Sequence, residues 1–569
     1  MSAFLARIAR ALTHHWKRSL FAAVGVLIGL GVLAGVFGGM PADDFEVPGA
    51  ESQKALELFT DHVPALAGAE ANLVFSTHAG SITDPGNRQA ITSALAGVSD
   101  LPRVVQVGDP FAQVSPDGRV ALADVRYSGQ GFDIDPEDGR TLESTIREGL
   151  EGTGVQMEMR GLVADIAAEQ DVPVFATTIA VMLGLGAGID YALLVIARYR
   201  EQVAAGDTPA EASAKAAATS GASVVAAGLI VMVAIAGLLS VGIPMIGKMG
   251  IGAAIGIAAV VVSSLTILPI MAGALARWLR PKKPAHVQAS PSFGRWAEII
   301  TRRPWAAIAV GGVIMLALAV PVTGMHLGQP DDGNQPTSST QRKAYLVAVR
   351  TPAGADDEPK LEALVTALRE TDGVASVSPA MPSEDGEMAT ISLIPETSPQ
   401  DEATGDLVHH LRGEVIPAAT DGTGLQAYVG GVTATFLDFS EKVASRLPMF
   451  IALVVGLSVL LLMAAFRSVW IPLVSAVLNV LSILAAYGLV TLVFQDGVGA
   501  GLVGVDAGVP VISFIPVMLF AILFGLSMDY HVFLLSRIRE HYDLTHNNRE
   551  SVAVGLHSTA KIITGAALI

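Results

Sequence analysis

Long apolar runs constrain the fold of this 569-residue chain more than any other feature. Each is about 20 residues long, enough for a helix to cross the roughly 30 Å hydrocarbon core of a bilayer. With 51% hydrophobic and only 16% charged residues, the chain is also too apolar for an ordinary soluble protein. The sequence therefore predicts a polytopic α-helical membrane protein. Eight runs lie near 18–38, 174–197, 218–240, 249–275, 305–325, 448–466, 470–494 and 511–536, and a ninth begins near 558.

Basic residues predict how these runs are oriented, because Lys and Arg concentrate in cytoplasmic loops. One topology places every basic cluster inside. It has a cytoplasmic N-terminus and leaves two long segments outside, roughly 41–172 and 327–446. The first run is interpreted as an uncleaved anchor, since its apolar stretch is longer than that of a signal peptide.

Charge and cysteine content exclude several kinds of partner and site. Residues 41–170 carry 22 acidic and 8 basic side chains, which indicates a solvated acidic domain and not a nucleic-acid binder. The chain contains no cysteine, which excludes disulfides, thiolate metal sites and cysteine nucleophiles. No cofactor and no metal ion is predicted.

The chain is a tandem repeat whose halves differ in length. Residues 186–230 match 525–569 at a constant offset of 339, whereas 154–161 match 424–431 at an offset of 270. The first half therefore lacks 69 residues that the second half has, and these contain the two apolar runs between 448 and 494. The second half is expected to be cut short after Ile569. We interpret the chain as a shortened form of a longer architecture with six spans per half.

The two outside segments share one predicted order of elements, β-α-β-β-α-β. Alternating apolar and polar residues predict the strands, and helical spacing of apolar residues predicts the helices. This order is that of the ferredoxin-like split β-α-β unit, so we expect two α+β ferredoxin-like extracytoplasmic domains. The predicted elements are 71–77, 84–98, 103–107, 119–128, 140–152 and 154–160 in the first domain, and 343–351, 359–371, 374–380, 387–395, 401–415 and 425–431 in the second.

An Asp-Tyr pair occurs inside one apolar run of each half, as Asp190-Tyr191 and Asp529-Tyr530. A carboxylate near the centre of a membrane helix costs about 2.5 to 3.5 kcal/mol on insertion scales. Burial favours a neutral carboxyl group, whereas a hydrogen bond from a tyrosine hydroxyl favours the ionised form. A carboxyl group balanced between the two could load and release a proton. If the halves pack with pseudo-twofold symmetry, each aspartate could reach the tyrosine of the other half.

Neighbouring residues have simpler predicted roles. Gly186 and Gly525 stand four residues before each aspartate, on the same helix face, and are predicted to let the helix backbones approach closely. His531 follows the second pair, but its counterpart is Ala192, which favours a polar residue near a helix end over a relay member. The Arg-x-Arg-Glu groups at 198–201 and 537–540 are interpreted as anchors at the inner membrane boundary.

The duplicated motif G-x-x-x-D-Y-x-x-[LF]-x-x-x-R-x-R-E, with one leading span and one outside domain per half, resembles the MMPL family of the RND transporter superfamily. The resemblance implies a tandem-duplicated RND-type architecture in the cytoplasmic membrane of a bacterium. It implies proton-driven export of lipids or other hydrophobic molecules, with protons, the hydrophobic substrate and membrane lipids as partners and with room for an oligomer or accessory proteins. The implied proton relay consists of Asp190, Tyr191, Asp529 and Tyr530.

Other functions remain open from the residues alone. The Asp-Tyr pairs could be structural hydrogen bonds that join two helices, or the chain could be a transport-incompetent remnant or regulator with the same fold. An intramembrane aspartyl protease also needs two membrane aspartates, but its Tyr-Asp and Gly-x-Gly-Asp motifs are not matched by Asp-Tyr in both halves, so an enzyme is not predicted.

These predictions divide the chain into a cytoplasmic N-terminus with the first span (1–40), the first outside domain (41–173), first-half membrane helices (174–280), a cytoplasmic linker (281–304), the span opening the second half (305–326), the second outside domain (327–446) and second-half membrane helices (447–569).

Overall fold

A computed structural model provides the three-dimensional structure of the chain. Its contacts divide into two compact units, one made of 1–41, 175–327 and 442–569 and the other of 42–174 and 328–441. The residues that the structure describes are 2–37, 47–63, 68–77, 80–111, 114–115, 118–128, 134, 136–160, 163, 175–279, 291–328, 345–352, 354–398, 401–503 and 511–567. Residues 281–290 of the predicted linker therefore lie outside the described residues.

The first unit is helical. Within the described residues, eight helices are long and apolar enough to span a membrane, and they coincide with the eight predicted runs. The ninth run falls in the helix Asn548–Ala567, which is not among those eight. The candidate spans are Trp16–Leu33, Ile179–Ala204, Pro209–Val241, Pro244–Ala274, Pro304–Gly324, Val432–Ala464, Trp470–Gln495 and Ile515–Thr545.

Local sequence explains where several of these helices begin and end. The Thr208 hydroxyl caps a helix start, since it accepts a hydrogen bond from the backbone N–H of Glu211 and also donates to its carboxylate. Proline occupies the first turn of at least four helices, where its missing N–H costs nothing. The helices of this unit are Ser2–His14, Trp16–Phe37, Phe175–Ala204, Pro209–Ala216, Ala222–Ala236, Pro244–Ala274, Pro291–Arg302, Pro304–Ala319, Val432–Phe466, Trp470–Val490, Ala500–Val503, Ile515–Thr545 and Asn548–Ala567, joined by π turns Ala217–Gly221 and Thr491–Gln495 and 3₁₀ turns Gly237–Val241 and Val320–Gly324.

The two motif-bearing helices are held by neighbours in the same unit. The helix Phe175–Ala204 packs along Pro244–Ala274, and the helix Ile515–Thr545 packs along Ala222–Ala236. Ala222–Ala236 also packs on Pro244–Ala274, so a continuous series of contacts joins the helices that carry the two Asp-Tyr pairs.

The second unit contains two antiparallel sheets. In each sheet the strands, numbered along the chain, lie in the order second, third, first, fourth. The first sheet contains Glu70–Thr77, Val104–Val107, Val120–Tyr127 and Val155–Arg160, with helices Pro85–Ala96 and Pro136–Leu150. The second sheet contains Tyr345–Arg350, Val374–Val377, Met388–Pro395 and Gln426–Gly430, with helices Glu358–Arg369, Glu402–His410 and Ile416–Thr420, a π turn Leu411–Val415, and a short strand Met381–Pro382 paired with its third strand.

The first sheet buries one face. Residues of Glu70–Thr77 and Val120–Tyr127 alternate between buried and partly exposed, as expected for strands with one face against a core. Leu73, Phe75 and Tyr127 are fully buried in the first core. The second sheet forms a core with its own helices, but Val347, Ala348 and Val349 are all fully buried, so part of its other face is covered as well.

The helix Glu51–His62, which precedes the first sheet in sequence, packs on the second sheet. Phe59 is 3% exposed and lies in a core cluster with Ala348 and Met388 of the second sheet. Glu51 accepts a hydrogen bond from the backbone N–H of Val429 at 2.9 Å. The segment therefore joins a domain built from the other half of the sequence.

The far end of this helix is also paired. The Nδ1 atom of His62 lies 2.7 Å from Oδ2 of Asp385, and the Ser383 hydroxyl donates to Oδ1 at 2.6 Å. The hydrogen bonds from Ser383 and His62 hold the pKa of the Asp385 carboxyl group well below its usual range. The ionised carboxylate therefore stabilises the folded state above the unfolded value of about 3.9, and this stabilisation is lost as the pH falls through the folded value.

We expect Asp385→Asn to reduce the acid sensitivity of the protein. Between about pH 5 and pH 3, the thermal midpoint should fall less in Asp385→Asn than in the native chain, because the variant has no carboxylate to protonate at this position. Thermal scans in detergent at several pH values test this. Asp421→Asn, which alters an exposed carboxylate of the same unit, is the control and should follow the native curve. Parallel curves for Asp385→Asn and the native protein would contradict the prediction.

Candidate functional site

The structure brings Asp190 of the first half against Tyr530 of the second half. The Tyr530 hydroxyl donates a hydrogen bond to Oδ2 of Asp190 at 2.6 Å. Both residues lie within long helices, Phe175–Ala204 and Ile515–Thr545. With a rise of about 1.5 Å per residue, Asp190 is about 12 Å along its helix from Arg198, which places the carboxyl group well within the span.

The other members of the predicted relay are on the same two helices. Tyr191 is 1% exposed, and a Cβ atom added at Gly228 of the helix Ala222–Ala236 would lie 3.7 Å from its hydroxyl. Asp529 belongs to the helix Ile515–Thr545, but its side chain lies outside the described residues. The relay role of the four residues remains a prediction.

The two glycines predicted to allow close helix packing differ from each other. A Cβ added at Gly525 would lie 3.3 Å from the Cα of Val231, so this glycine does permit close approach of the helix Ala222–Ala236. A Cβ added at Gly186 would meet no atom within 4 Å, and the prediction for this residue is wrong. Gly228 has the role instead, since its Cβ would lie 2.3 Å from Val261. Motif spacing identifies a helix face, but it does not identify the helix that packs there.

Four charged residues at one end of the same two helices form a closed ring, which we call the ion-pair ring: Arg198, Glu201, Arg537 and Glu540. Arg198 contacts Glu201 at 2.8 Å and Glu540 at 2.7 Å, and Arg537 contacts Glu540 at 3.0 Å and Glu201 at 3.4 Å. Each arginine therefore binds one glutamate of its own helix and one of the other. The Arg-x-Arg-Glu groups were predicted to be simple anchors, and their exact repetition at an offset of 339 was the feature that could have indicated pairing.

Neutralising both carboxylates of the ion-pair ring is expected to cost about 1 kcal/mol, because pairs with partly exposed carboxylates contribute little individually. The combined variant Glu201→Gln/Glu540→Gln should lower the thermal midpoint at low salt. The difference should shrink at high salt, where the charges are screened. Glu298→Gln, which removes an exposed pair with Arg302, is the control. A salt-independent difference would show that the ring is not an electrostatic contact.

Within the described residues, no three His, Asp or Glu side chains come close enough to hold a metal ion. A cavity of about 170 Å³ lies beside the Asp190 helix, at the end that carries the ion-pair ring. Its walls are mainly apolar and include Val195, Tyr199, Leu268 and Met271.

This chain is similar in sequence to known membrane proteins. A model of the MMPL family matches residues 157–307 and 331–569. The membrane protein YdfJ of Bacillus subtilis is 29% identical, over 93% of this chain and 82% of its own length. A crystal structure of SecDF matches with a TM-score of 0.39 and 15% identity, over 88% of this chain and 77% of that one.

MmpL11 proteins match a smaller part of their own length. The mycolic acid-containing lipids exporter MmpL11 of Mycolicibacterium smegmatis is 31% identical, and the heme uptake protein MmpL11 of Mycobacterium tuberculosis is 32% identical. Each match covers 72% of this chain and 45% of the relative, so the chain spans about half the length of these relatives. The family model covers more than half of the chain, and membership of the RND superfamily fits the duplicated helical architecture. The chain belongs to the MMPL family.

Proposed function

We propose that this protein exports lipids or other hydrophobic molecules across the cytoplasmic membrane and is driven by the proton gradient. The observation that carries the proposal is the hydrogen bond from Tyr530 to Asp190, which joins a carboxyl group and a phenol from opposite halves of the chain. A structural bond between helices would not need an ionisable group there, since a carboxylate in a membrane helix is costly.

The geometry suggests how a proton could be coupled to movement. An ionised Asp190 accepts the hydrogen bond of Tyr530, whereas a protonated Asp190 carries its own O–H donor and weakens that arrangement. Each proton that enters and leaves the carboxyl group therefore changes the contact between the two helices. A proton that moves down the membrane potential supplies about 2.3 kcal/mol per 100 mV, enough to shift a two-state equilibrium between helix arrangements.

The proposal also covers the two sheet domains, the membrane topology and the substrate. Both sheet domains are proposed to be ferredoxin-like and extracytoplasmic, with the N-terminus inside, which is supported by their strand order and by the positions of the basic residues.

The proposed substrate class is supported by the lipid export named for one MmpL11 relative and by the apolar cavity beside the Asp190 helix. An apolar cavity of about 150 Å³ can hold a benzene-sized group, so this one would take one small apolar group or a short part of an acyl chain. Heme, named for the other MmpL11, is a further hydrophobic candidate.

Transport can be tested in liposomes that contain the purified chain and a fluorescent phosphatidylethanolamine analogue. A pH gradient is imposed, and movement of the probe between leaflets is followed by chemical quenching of the outer leaflet. We expect movement that depends on the gradient and stops when a protonophore removes it. Movement that is unchanged by the protonophore would refute proton coupling. No movement of this probe or of heme would favour the transport-incompetent alternative.

A further inference from the structure

Ser527 binds two polar side chains of the second half, one on a neighbouring membrane helix and one a turn along its own helix. The Ser527 hydroxyl donates to Oδ1 of Asn479, and Nδ1 of His531 lies 3.1 Å from the backbone oxygen of Ser527. None of the three has a polar counterpart in the first half. The offset of 339 places Gly188 and Ala192 opposite Ser527 and His531, and Asn479 lies in the helix pair that the first half lacks. The tertiary contact between Asn479 and Ser527 is thus specific to one half, and His531 lies one helical turn from Ser527.

The contact of His531 determines which of its nitrogens carries hydrogen. A backbone carbonyl oxygen can only accept a hydrogen bond, so Nδ1 of His531 must be the donor. In the neutral ring, Nε2 is then the nitrogen with a free lone pair. Among the described residues, Nε2 has no hydrogen-bond partner, which leaves it able to take up a proton.

Asn479 offers the complementary group. It is 1% exposed, and its Nδ2 has no hydrogen-bond partner within the described part of the chain. Buried side-chain amides almost always pair both of their ends, so a buried donor of this kind indicates a ligand with an acceptor atom. Ser527 binds both neighbours, holding Asn479 through its hydroxyl and His531 through its carbonyl. The unpaired donor and the unpaired acceptor therefore each belong to a residue that is bonded to Ser527.

We infer that Asn479, Ser527 and His531 form a second proton-binding site, which rests on the proposed proton-driven function. A proton delivered by water binds Nε2 of His531 and makes the ring an imidazolium, while the hydrogen on Nδ1 stays bonded to the Ser527 carbonyl. The same water can accept from Nδ2 of Asn479. On release, the proton returns to water and the ring becomes neutral, so no other reactant is needed.

This site stands next to the relay in sequence, since His531 follows Tyr530 directly. Because Tyr530 binds Asp190, protonation of Asp190 and protonation of His531 are expected to be coupled. The helix Ala222–Ala236 brings no titratable side chain to this helix. The helix Phe175–Ala204 carries the titratable residues Asp190, Tyr191, Arg198, Tyr199, Arg200 and Glu201. The helix Trp470–Val490 carries Tyr487, which donates to the Pro516 oxygen. The helix Asn548–Ala567 carries Arg549, Glu550, His557 and Lys561.

The inference can be tested by nitrogen NMR of the full chain, labelled at histidine nitrogens and reconstituted in lipid. The His531 signals are identified by their loss in His531→Gln. We expect the ring to gain its proton at Nε2 between pH 5 and 8, the range in which an imidazole ordinarily titrates. Asn479→Leu is expected to weaken proton binding there about tenfold, a shift of one pH unit, because it removes the amide and makes the surroundings apolar. Ser527→Ala should shift the titration in the same direction, and it replaces Asn479→Leu as the test variant if Asn479→Leu does not fold.

Ser482→Ala is the matched control. It removes an exposed hydroxyl from the helix that carries Asn479, and within the described residues this hydroxyl bonds only to the Leu478 oxygen. It should leave the His531 titration unchanged. A ring that stays neutral from pH 5 to 8, or one that shifts equally in the control, would overturn the inference. The result is independent of the transport test: a titrating His531 without gradient-driven lipid movement would refute the proposed function alone, and gradient-driven movement with a silent His531 would refute the second site alone.

Discussion

Asp190→Asn is expected to abolish gradient-driven lipid movement, reducing it to the rate of vesicles without protein. Asparagine has nearly the same shape, and its amide oxygen can still accept the Tyr530 hydrogen bond, but it cannot bind and release a proton in this range. The helices should therefore still pack, whereas the coupling step should be lost. Tyr530→Phe keeps the carboxyl group and removes only the hydrogen bond, so it should slow movement less than Asp190→Asn does.

The vesicle assay with a phosphatidylethanolamine probe measures both variants, and thermal scans confirm that they fold. Asp543→Asn is the control, because it alters an exposed carboxylate near the end of the same helix that carries Tyr530. It should retain the native rate. If Asp190→Asn kept half of the native rate, the carboxyl group would not be the coupling site, and the hydrogen bond would be a purely structural contact between the helices.

Asp438→Ala is expected to loosen the contact between the helix Glu51–His62 and the second sheet by about 3 kcal/mol. Asp438 is 8% exposed, binds the Arg412 guanidinium at 2.5 and 3.1 Å, and accepts from the backbone N–H of Ser52 at 3.0 Å. Removing one partner of a buried pair leaves an uncompensated charge, which costs about 3 to 5 kcal/mol. Glu51 lies 3.4 Å from Nε of Arg412 and partly compensates its charge. The loss of stability should therefore be near the lower value.

Hydrogen exchange measured by mass spectrometry reports this change locally. Amides of the strand Gln426–Gly430 and of the helix should exchange on the order of 100-fold faster, since about 1.4 kcal/mol corresponds to a factor of ten. Glu143→Ala is the control, because its pair with Arg147 is exposed and within one helix. Pairs of this kind contribute only about 0.3–0.5 kcal/mol. Equal exchange in the native chain and Asp438→Ala would show that the ion pair does not hold the helix in place.

Most of the elements could be predicted from sequence because their causes are local. Hydropathy over about 20 residues identified the eight spans, and the alternation in Glu70–Thr77 and Val120–Tyr127 identified strands with one buried face. The site was only partly predictable. The Asp-Tyr motif identified the residues and the symmetry suggested the cross-half contact, but Gly186 was assigned a packing role that belongs to Gly228.

The sequence by itself determined the number and position of the apolar helices, the duplication, and the two acids within them, because these depend on composition and on spacing along one segment. Only the tertiary structure decided which segments meet: Tyr530 against Asp190, the helix Glu51–His62 on the other half's sheet, and Asn479 against Ser527. These contacts join residues between 48 and 340 positions apart, and they depend on how whole helices and sheets pack. The spacing of residues within one segment does not show which face of another segment it will contact.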